Sequence, residues 1–487
     1  MTSPRAKSNA DMASAPSASG TGDEPATVGP PRALPPKPAA RPDRVSLLRY
    51  LRLFRRDILS AQPARLYGAW MAEFRTPFFR SFLVNQPDLV RLVLSERPRD
   101  FPKSNRLREG LAPLLGNSVF VTSGAQWERQ RRIIDPAFAG GRLRETFPAM
   151  VAAAEAVVAR LDAWADGTPV EIEAEASFAA ADVIFRTLFS IPIQDALAAR
   201  VYAAFRNYQR AQPLLNLAAF LPLPGWMPRF HSRATRAAAA EIRHVIAALV
   251  ERRRAEIAQG TASDDLSSKI MTTPDPVTGK GFDPAEMADQ VAIFFLAGHE
   301  TSASTLAWSL YLIARHPDVQ ARIAVEASCL PERPVFADLS QLSFTRDVVR
   351  ETLRLYPPVP MMVRQATARE RFRDRDVPRR AQIVLSPWHL HRHSRLWSDP
   401  DAFRPERWSE ETNKRSARDA YIPFSAGPRV CPGAGFAMAE AVLLLAMIVR
   451  AFQLSPGAPA DPVPVAHLTV RARDGIPLIL RRRDQVP

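Results

Sequence analysis

Cysteine is nearly absent from this chain: Cys329 and Cys431 are the only two in 487 residues. Two thiols cannot build a disulfide framework or a four-thiolate metal site. Their scarcity fits a reducing compartment. No uninterrupted apolar run reaches the roughly 18–20 residues that cross a bilayer. The first residues lack the apolar central stretch of a signal peptide. No fixed-period repeat occurs. The net charge is +15, yet no nucleic-acid motif and no basic–aromatic interleaving accompany it, so the charge does not argue for nucleic acid. These absences predict a soluble, cytoplasmic protein with no nucleic-acid partner.

Hydrophobic residues make up 46% and charged residues 24%, as in ordinary globular proteins, and the length allows a large core. Residues 1–44 hold nine prolines among Ser, Ala and Gly. Such a segment has little apolar surface to bury and is expected to be a disordered tail before a single domain over 45–487. In "VSLLRYLRLFRRDIL" (45–59), Leu47, Leu48, Leu51, Phe54 and Ile58 recur at helical spacing among Arg49, Arg52, Arg55 and Arg56. Such a stripe more often packs on a core. A basic amphipathic helix can also make weak peripheral contact with an anionic membrane.

The rest reads as mainly α with small β-sheets. "RETFPAMVAAAEAVVARLDAW" and "RATRAAAAEIRHVIAALVERRRAEIAQG" have helical periodicity, the second stopping at Gly260. "FFRSFLVNQPDLVRLVL" begins as a strand and turns helical, and "HLTVRA" and "IPLILRRR" flank Asp474-Gly475 as a hairpin would. His389, His391 and His393 alternate as ligands on a strand could, but no carboxylate cluster accompanies them.

One helix should cross the interior. It starts with Asp283 as N-cap, Pro284 at its first position and Glu286 at its third, and runs to about His316. Its apolar middle is interrupted by Gly298-His299-Glu300-Thr301. Glycine weakens a helix, a buried carboxylate is desolvated, and threonine can bond back to the carbonyl one turn earlier. Three locally unfavourable choices in a row point to a functional site. A second helix carries Glu351 and Arg354, three apart and so on one face, with Arg407 in "FRPERW" as a possible third member.

Cys431 lies in "PFSAGPRVCPG" (423–433). A thiolate is the soft, electron-rich ligand that haem iron can use. Its loop must be stiff, and backbone N–H groups must keep the sulfur ionised. Gly433 permits a close turn into the next helix, whose dipole favours the anion. Phe424 can wall the sulfur, and Arg429 can meet a haem carboxylate. "GAGFAM" lacks the third glycine and the preceding strand of a dinucleotide fingerprint.

These residues resemble the cytochrome P450 family over about 45–487. Phe424, Gly427, Arg429, Cys431 and Gly433 match its haem loop. Ala297, Gly298, Glu300 and Thr301 match its central-helix pattern, Glu351 and Arg354 its Glu-x-x-Arg, and Trp127 and Arg131 its Trp-x-x-x-Arg. The resemblance implies a P450 fold with haem b held between the central helix and the Cys431 loop. Cys431 would ligate the iron. Trp127, Arg131, Arg364 and Arg429 would hold its propionates, with Phe424, Gly433 and Ala297 around it. Thr301 would position dioxygen, and Glu300 would feed protons. It implies a monooxygenase acting with O2 on a hydrophobic substrate, with electrons from a ferredoxin or flavodoxin and its reductase. The pocket would be lined by 105–120, 214–228, Ile293, Ala297 and 359–362. An acidic electron donor is expected to dock on Arg129, Arg131, Arg132 and Arg429. A P450-fold peroxygenase or isomerase and a non-catalytic haem-binding protein are the other classes compatible with the motifs.

Overall fold

The computed structural model describes residues 34–75, 80–211, 233–466 and 469–485. The helices are α1 (Leu47–Arg56), α2 (Pro87–Arg91), α3 (Asn105–Leu115), α4 (Gly124–Ile134), α5 (Gly140–Asp162), α6 (Ile172–Phe189), α7 (Ala196–Ala211) and α8 (Arg233–Ala258). There follow α9 (Leu266–Thr272), α10 (Pro284–Ala314), α11 (Pro317–Ser328), α12 (Ser343–Leu355), α13 (Pro387–Leu390), α14 (Lys414–Asp419) and α15 (Ala434–Ala451). Small sheets interrupt them. β1 (Met71–Arg75), β2 (Arg80–Val84), β4 (Met362–Gln365) and β7 (Gln382–Leu385) form one four-stranded sheet in the order β1-β2-β7-β4. β3 (Asp166–Glu171), β8 (Phe452–Pro456) and β11 (Pro477–Arg482) form a second. β5 (Glu370–Phe372) pairs with β6 (Arg375–Val377), and β9 (Pro464–Ala466) with β10 (Val470–Ala472).

α10 is the axis of the molecule. Asp283 and Glu286 form the capping box that its sequence predicts, with Pro284 opening the first turn. Its N-terminal half packs Val291, Phe295 and Leu296 among α3, α6, α7 and α8. Its C-terminal half packs Leu306, Trp308 and Leu310 among α5, α12 and α15. Trp308 stacks on Tyr356 with ring centroids 4.0 Å apart. One helix shared by two apolar clusters makes the site at its centre a junction between them.

Four local expectations change. Residues 34–44, grouped with the tail by composition, lie along the domain: Pro36 O accepts from Tyr356 Oη (2.8 Å), Arg41 Nε donates to Ala61 O (2.6 Å), and Lys37 pairs with Asp401. Among the described side chains of α1 the buried ones are Tyr50 and Phe54, followed by Ile58, whereas Leu48 is 81% exposed. Phe54 and Ile58 of the expected stripe are buried and Leu51 packs partly on the core, so its described side chains face the domain as expected except at Leu48, and Tyr50 joins them 4.6 Å from Phe74 of β1. β10 and β11 flank Asp474-Gly475 but do not pair; β10 joins β9, and β11 lies between β3 and β8. Finally, His389, His391 and His393 sit on α13 and the turn after it, not on a strand. Each is buried with its own partner: Ser386 Oγ, the Ile422 N–H and the Arg395 N–H. Among the described residues no group of three His, Cys, Asp or Glu side chains could hold a metal ion. α15 alone among the described helices is long and apolar enough to cross a membrane, and 61% of it is buried inside the protein.

Candidate active site

The Cys431 loop is fixed by backbone geometry. Gly427 has φ +67°, and a Cβ there would fall 2.0 Å from Leu94 O. Only glycine fits such a turn and such a contact. The Cys431 N–H then donates to Phe424 O at 2.9 Å, closing the loop under the partly buried Phe424 ring. Gly433 caps α15, which begins at Ala434 and so aims its positive end toward the sulfur's side. Surrounding protein pushes the Cys431 thiol up from its ordinary range, opposed by the Gly433 N–H and by Arg131 and Lys103. The cysteine itself is exposed.

Cations converge beside it. Arg131 Nη1 donates to Val430 O (2.8 Å), next to Cys431. Arg429 reaches Thr122 O (3.1 Å) and Ser123 Oγ (3.2 Å), and its guanidinium lies 4.3 Å from the Trp127 ring. Arg364 on β4 is placed opposite Lys103 by an isolated antiparallel bridge. Burial and then Arg429 lower Arg364 to about 10; burial and then Arg131 lower Arg429 to about 10. Lys103 falls well below its ordinary range through burial and the nearness of Arg364, Arg429 and Arg131. Among the described residues no carboxylate pairs with Lys103, Arg364 or Arg429; only Arg131 has one, Asp135 at 2.7 Å. Unbalanced, half-buried positive charge is costly unless an anion joins it.

The middle of α10 supplies the other wall. Thr301 Oγ1 donates back to Ala297 O at 2.6 Å. Within the buried middle of this helix, Ala297 is exposed and Phe294, Gly298 and Thr301 are half-buried, so Phe294, Ala297 and Thr301 form an accessible stripe at i, i+3 and i+7. Gly298 has a packing reason: a Cβ would sit 2.4 Å from Ile184 of α6. Ser302 Oγ donates to Glu440 Oε2 at 2.6 Å, tying α10 to the helix that leaves the Cys431 loop. Burial raises the Glu440 carboxyl to about 8.

Glu300 is only 3% exposed. Its Oε2 accepts from Arg471 Nη2 (2.5 Å) and Thr469 Oγ1 (3.2 Å), both at the β10 end of the chain. His299 is held by Ser177 Oγ at 2.7 Å. Burial lowers it to about 4, so it is neutral.

Glu351, Arg354 and Arg407 form a fully buried triad rather than a surface ion pair. Arg354 grips Glu351 through two bonds of 2.9 Å, and Arg407 Nε adds a third of 2.9 Å. Burial opposes ionisation of Glu351, but Arg354 and Arg407 outweigh it and hold the carboxyl below its ordinary range. The remaining guanidinium donors go to carbonyls of 391, 398–400 and 402, which anchors the irregular stretch before the Cys431 loop.

A thiol, four cations with one carboxylate among them, and an open threonine stripe fit a flat, dianionic, thiolate-ligated cofactor. The family profile described as Cytochrome P450 matches residues 64–475. The chain belongs to the cytochrome P450 family. It is 35% identical over 425 residues to a P450 relative, the cyclooctat-9-en-7-ol 5-monooxygenase of Streptomyces melanosporofaciens, covering 85% of this chain and 89% of that one. It is 32% identical over 390 residues to the pentalenene oxygenase of Streptomyces avermitilis, covering 79% and 84%. A solved cytochrome P450DA heme domain superposes with a TM-score of 0.76 at 25% identity, covering 93% of this chain and 99% of that one. The protein is a P450 monooxygenase with a P450 fold and a haem cofactor. Such enzymes take oxygen from O2, receive electrons from partner proteins and act on small hydrophobic substrates.

Trp127, Arg131 and Arg429 come together beside the Cys431 loop, and Arg364 lies opposite Lys103. Lys103 went unread because a lone lysine in a loop carries no pattern; only its bridge to β4 reveals it. Arg471 was missed although an arginine inside "LTVRA" is a weak signal. Arg129 and Arg132 do not form a free docking cluster. Arg129 pairs with Glu286 (2.7 Å) and Arg132 with Asp275 (2.6 Å), an interaction strong enough to hold Asp275 far below its ordinary range. The pocket segment 214–228 lies outside the described residues.

Proposed function

We propose that this P450 binds haem b and hydroxylates an apolar cyclic terpenoid, in a cytoplasmic setting, with electrons from a ferredoxin or flavodoxin and its reductase. The observation that carries the monooxygenase chemistry is the Thr301 hydroxyl turned onto Ala297 O beside a buried, ion-paired Glu300. The terpenoid assignment rests on the two relatives, whose names specify a cyclooctatenol and pentalenene.

Haem bound here supplies the iron that activates O2. Cys431 provides the thiolate, its charge balanced by the Gly433 N–H and the α15 dipole. Trp127, Arg131, Arg364, Arg429 and Lys103 would hold the cofactor's carboxylates, and Phe424, whose carbonyl accepts from the Cys431 N–H, would help screen the sulfur, exposed here, once haem covers it. Ala297, small and exposed, would leave space beside the cofactor. Thr301 holds a proton at Oγ1, and Glu300 replenishes it. The overall balance is one C–H bond, O2, two electrons and two protons giving C–OH and water. A peroxygenase would have less use for this acid–alcohol pair.

The test is a spectral titration of the ferric protein with cyclic terpenes, fatty acids and aromatics. A shift toward the substrate-bound spectrum with cyclic terpenes is the expected result; a response to fatty acids alone overturns the substrate class. Cys431→Ser should lose the red-shifted band of the reduced CO complex, and Cys329→Ser should keep it. Turnover driven by peroxide but not by a ferredoxin system would replace the monooxygenase reading.

A further inference from the structure

α1 presents two unlike faces. Tyr50 and Phe54 are buried against the body of the domain, so the helix cannot roll. At 3.6 residues per turn, Leu48, Arg49, Arg52 and Arg56 fall within one arc of about 100°, and all four are exposed. Leu48, at 81%, is the most exposed large hydrophobic residue among those described. No described carboxylate pairs with any of the three arginines, whereas exposed Arg91, Arg97 and Arg252 each have one. The nearest acidic residue upstream, Asp43, is turned to Arg65 at 3.6 Å, and Asp57 at the other end is buried in bonds to backbone and Ser60.

We propose that this face of α1 docks the enzyme on an anionic lipid surface. Charge complementarity selects the occupant: three unpaired guanidiniums lie beside one exposed apolar side chain on a convex helix. A convex face suits a planar headgroup layer, in which Leu48 enters the acyl boundary while arginines meet phosphates. An apolar peptide would need a groove, and none adjoins this face among the described pockets. The contact is peripheral and reversible, since one leucine and three charges fall far short of an anchor. It would hold the enzyme where a water-insoluble substrate partitions.

Flotation of the full haem-loaded protein with vesicles of phosphatidylglycerol and phosphatidylcholine, or of phosphatidylcholine alone, tests it. Binding is expected only to the anionic vesicles and should fall as salt rises. Each arginine contributes about fivefold to partitioning, so Arg49→Glu/Arg52→Glu/Arg56→Glu should lose at least tenfold, and Leu48→Ser a smaller amount at unchanged charge. A control of equal charge change on other exposed, unpaired sites, Lys280→Glu/Arg333→Glu/Arg371→Glu, should retain most binding. Unaltered circular dichroism and CO spectrum verify the fold of each variant. Absence of binding by the unaltered protein, or equal loss in both triple variants, overturns the proposal. So does finding that the α1 variants change only self-association or binding of an acidic electron donor.

Discussion

Arg471 Nη2 donates to Glu300 Oε2 at 2.5 Å, across 171 residues of sequence. The pair joins the centre of α10 to a short strand near the end of the chain. Glu300 is therefore not a free acid waiting at a groove but a buried carboxylate with a fixed counter-charge. Removing one partner of such a pair typically costs about 3–5 kcal/mol. Arg471→Met should lower the urea midpoint accordingly and slow proton-dependent turnover, with a larger solvent isotope effect. An unchanged midpoint and isotope effect would show that Glu300 has another partner.

Thr301→Ala removes the hydroxyl that bonds Ala297 O. Cofactor oxidation should continue at a comparable rate, while product formed per electron falls at least tenfold, given that a positioned proton donor is worth about 100-fold or more. The missing electrons should be recovered as hydrogen peroxide. Full coupling in this variant would remove Thr301 from the chemistry.

Lys103→Met tests the cation that no motif marks. A charge-assisted bond is worth about 1.5–3 kcal/mol, so haem should transfer to an apo-globin acceptor roughly ten- to a hundredfold faster. The CO spectrum of the remaining holoprotein should be normal, since Cys431 is untouched. An unchanged transfer rate would place Lys103 outside the haem carboxylates' reach.

Glu440 gives a pH signature. Its folded carboxyl is raised to about 8, so the folded state holds this proton more tightly than the unfolded chain does. Its contribution is complete below the ordinary carboxylate range, about 4.3, and is lost as pH climbs toward 8. Stability should decline by about 1 kcal/mol per unit across that window. Glu440→Gln keeps an acceptor for Ser302 and should flatten the slope in urea titrations at several pH values. Parallel slopes would assign the decline to other groups.

Glu351 has the opposite sign. Held below its ordinary range by Arg354 and Arg407, it stabilises the fold fully above about pH 4.3, and that support drains as acid protonates it. Glu351→Gln leaves two buried guanidiniums short of a counter-charge and should cost about 3–5 kcal/mol at neutral pH, read by urea unfolding. A variant that unfolds like the parent at pH 7 would contradict the triad's buried role.

The helical frame was legible because long periodic segments with caps leave little choice: the Asp283–Glu286 box and the Gly260 stop appear where the pattern puts them. The Cys431 loop was legible for a different reason, since its glycines and arginine have no competing use. What could not be read depends on contacts distant in sequence. Lys103 acquires its place from the bridge to Arg364, and Arg129 and Arg132 acquire partners in Glu286 and Asp275. The alternation of His389, His391 and His393 looked like a strand, but Pro387 and Ser386 begin a helical turn there. Hairpin chemistry at Asp474-Gly475 fixed a turn without fixing which strands pair.

The link from Thr469 and Arg471 back to Glu300 also bears on synthesis. A nascent chain exposes Glu300 and Thr301 on the ribosome long before Thr469 and Arg471 are translated. Until Thr469 and Arg471 are made, the carboxylate at the helix centre lacks this counter-charge. A product cut short after Cys431 would keep the iron ligand yet leave that charge stranded, so this architecture penalises unfinished copies at the very position where protons are handled.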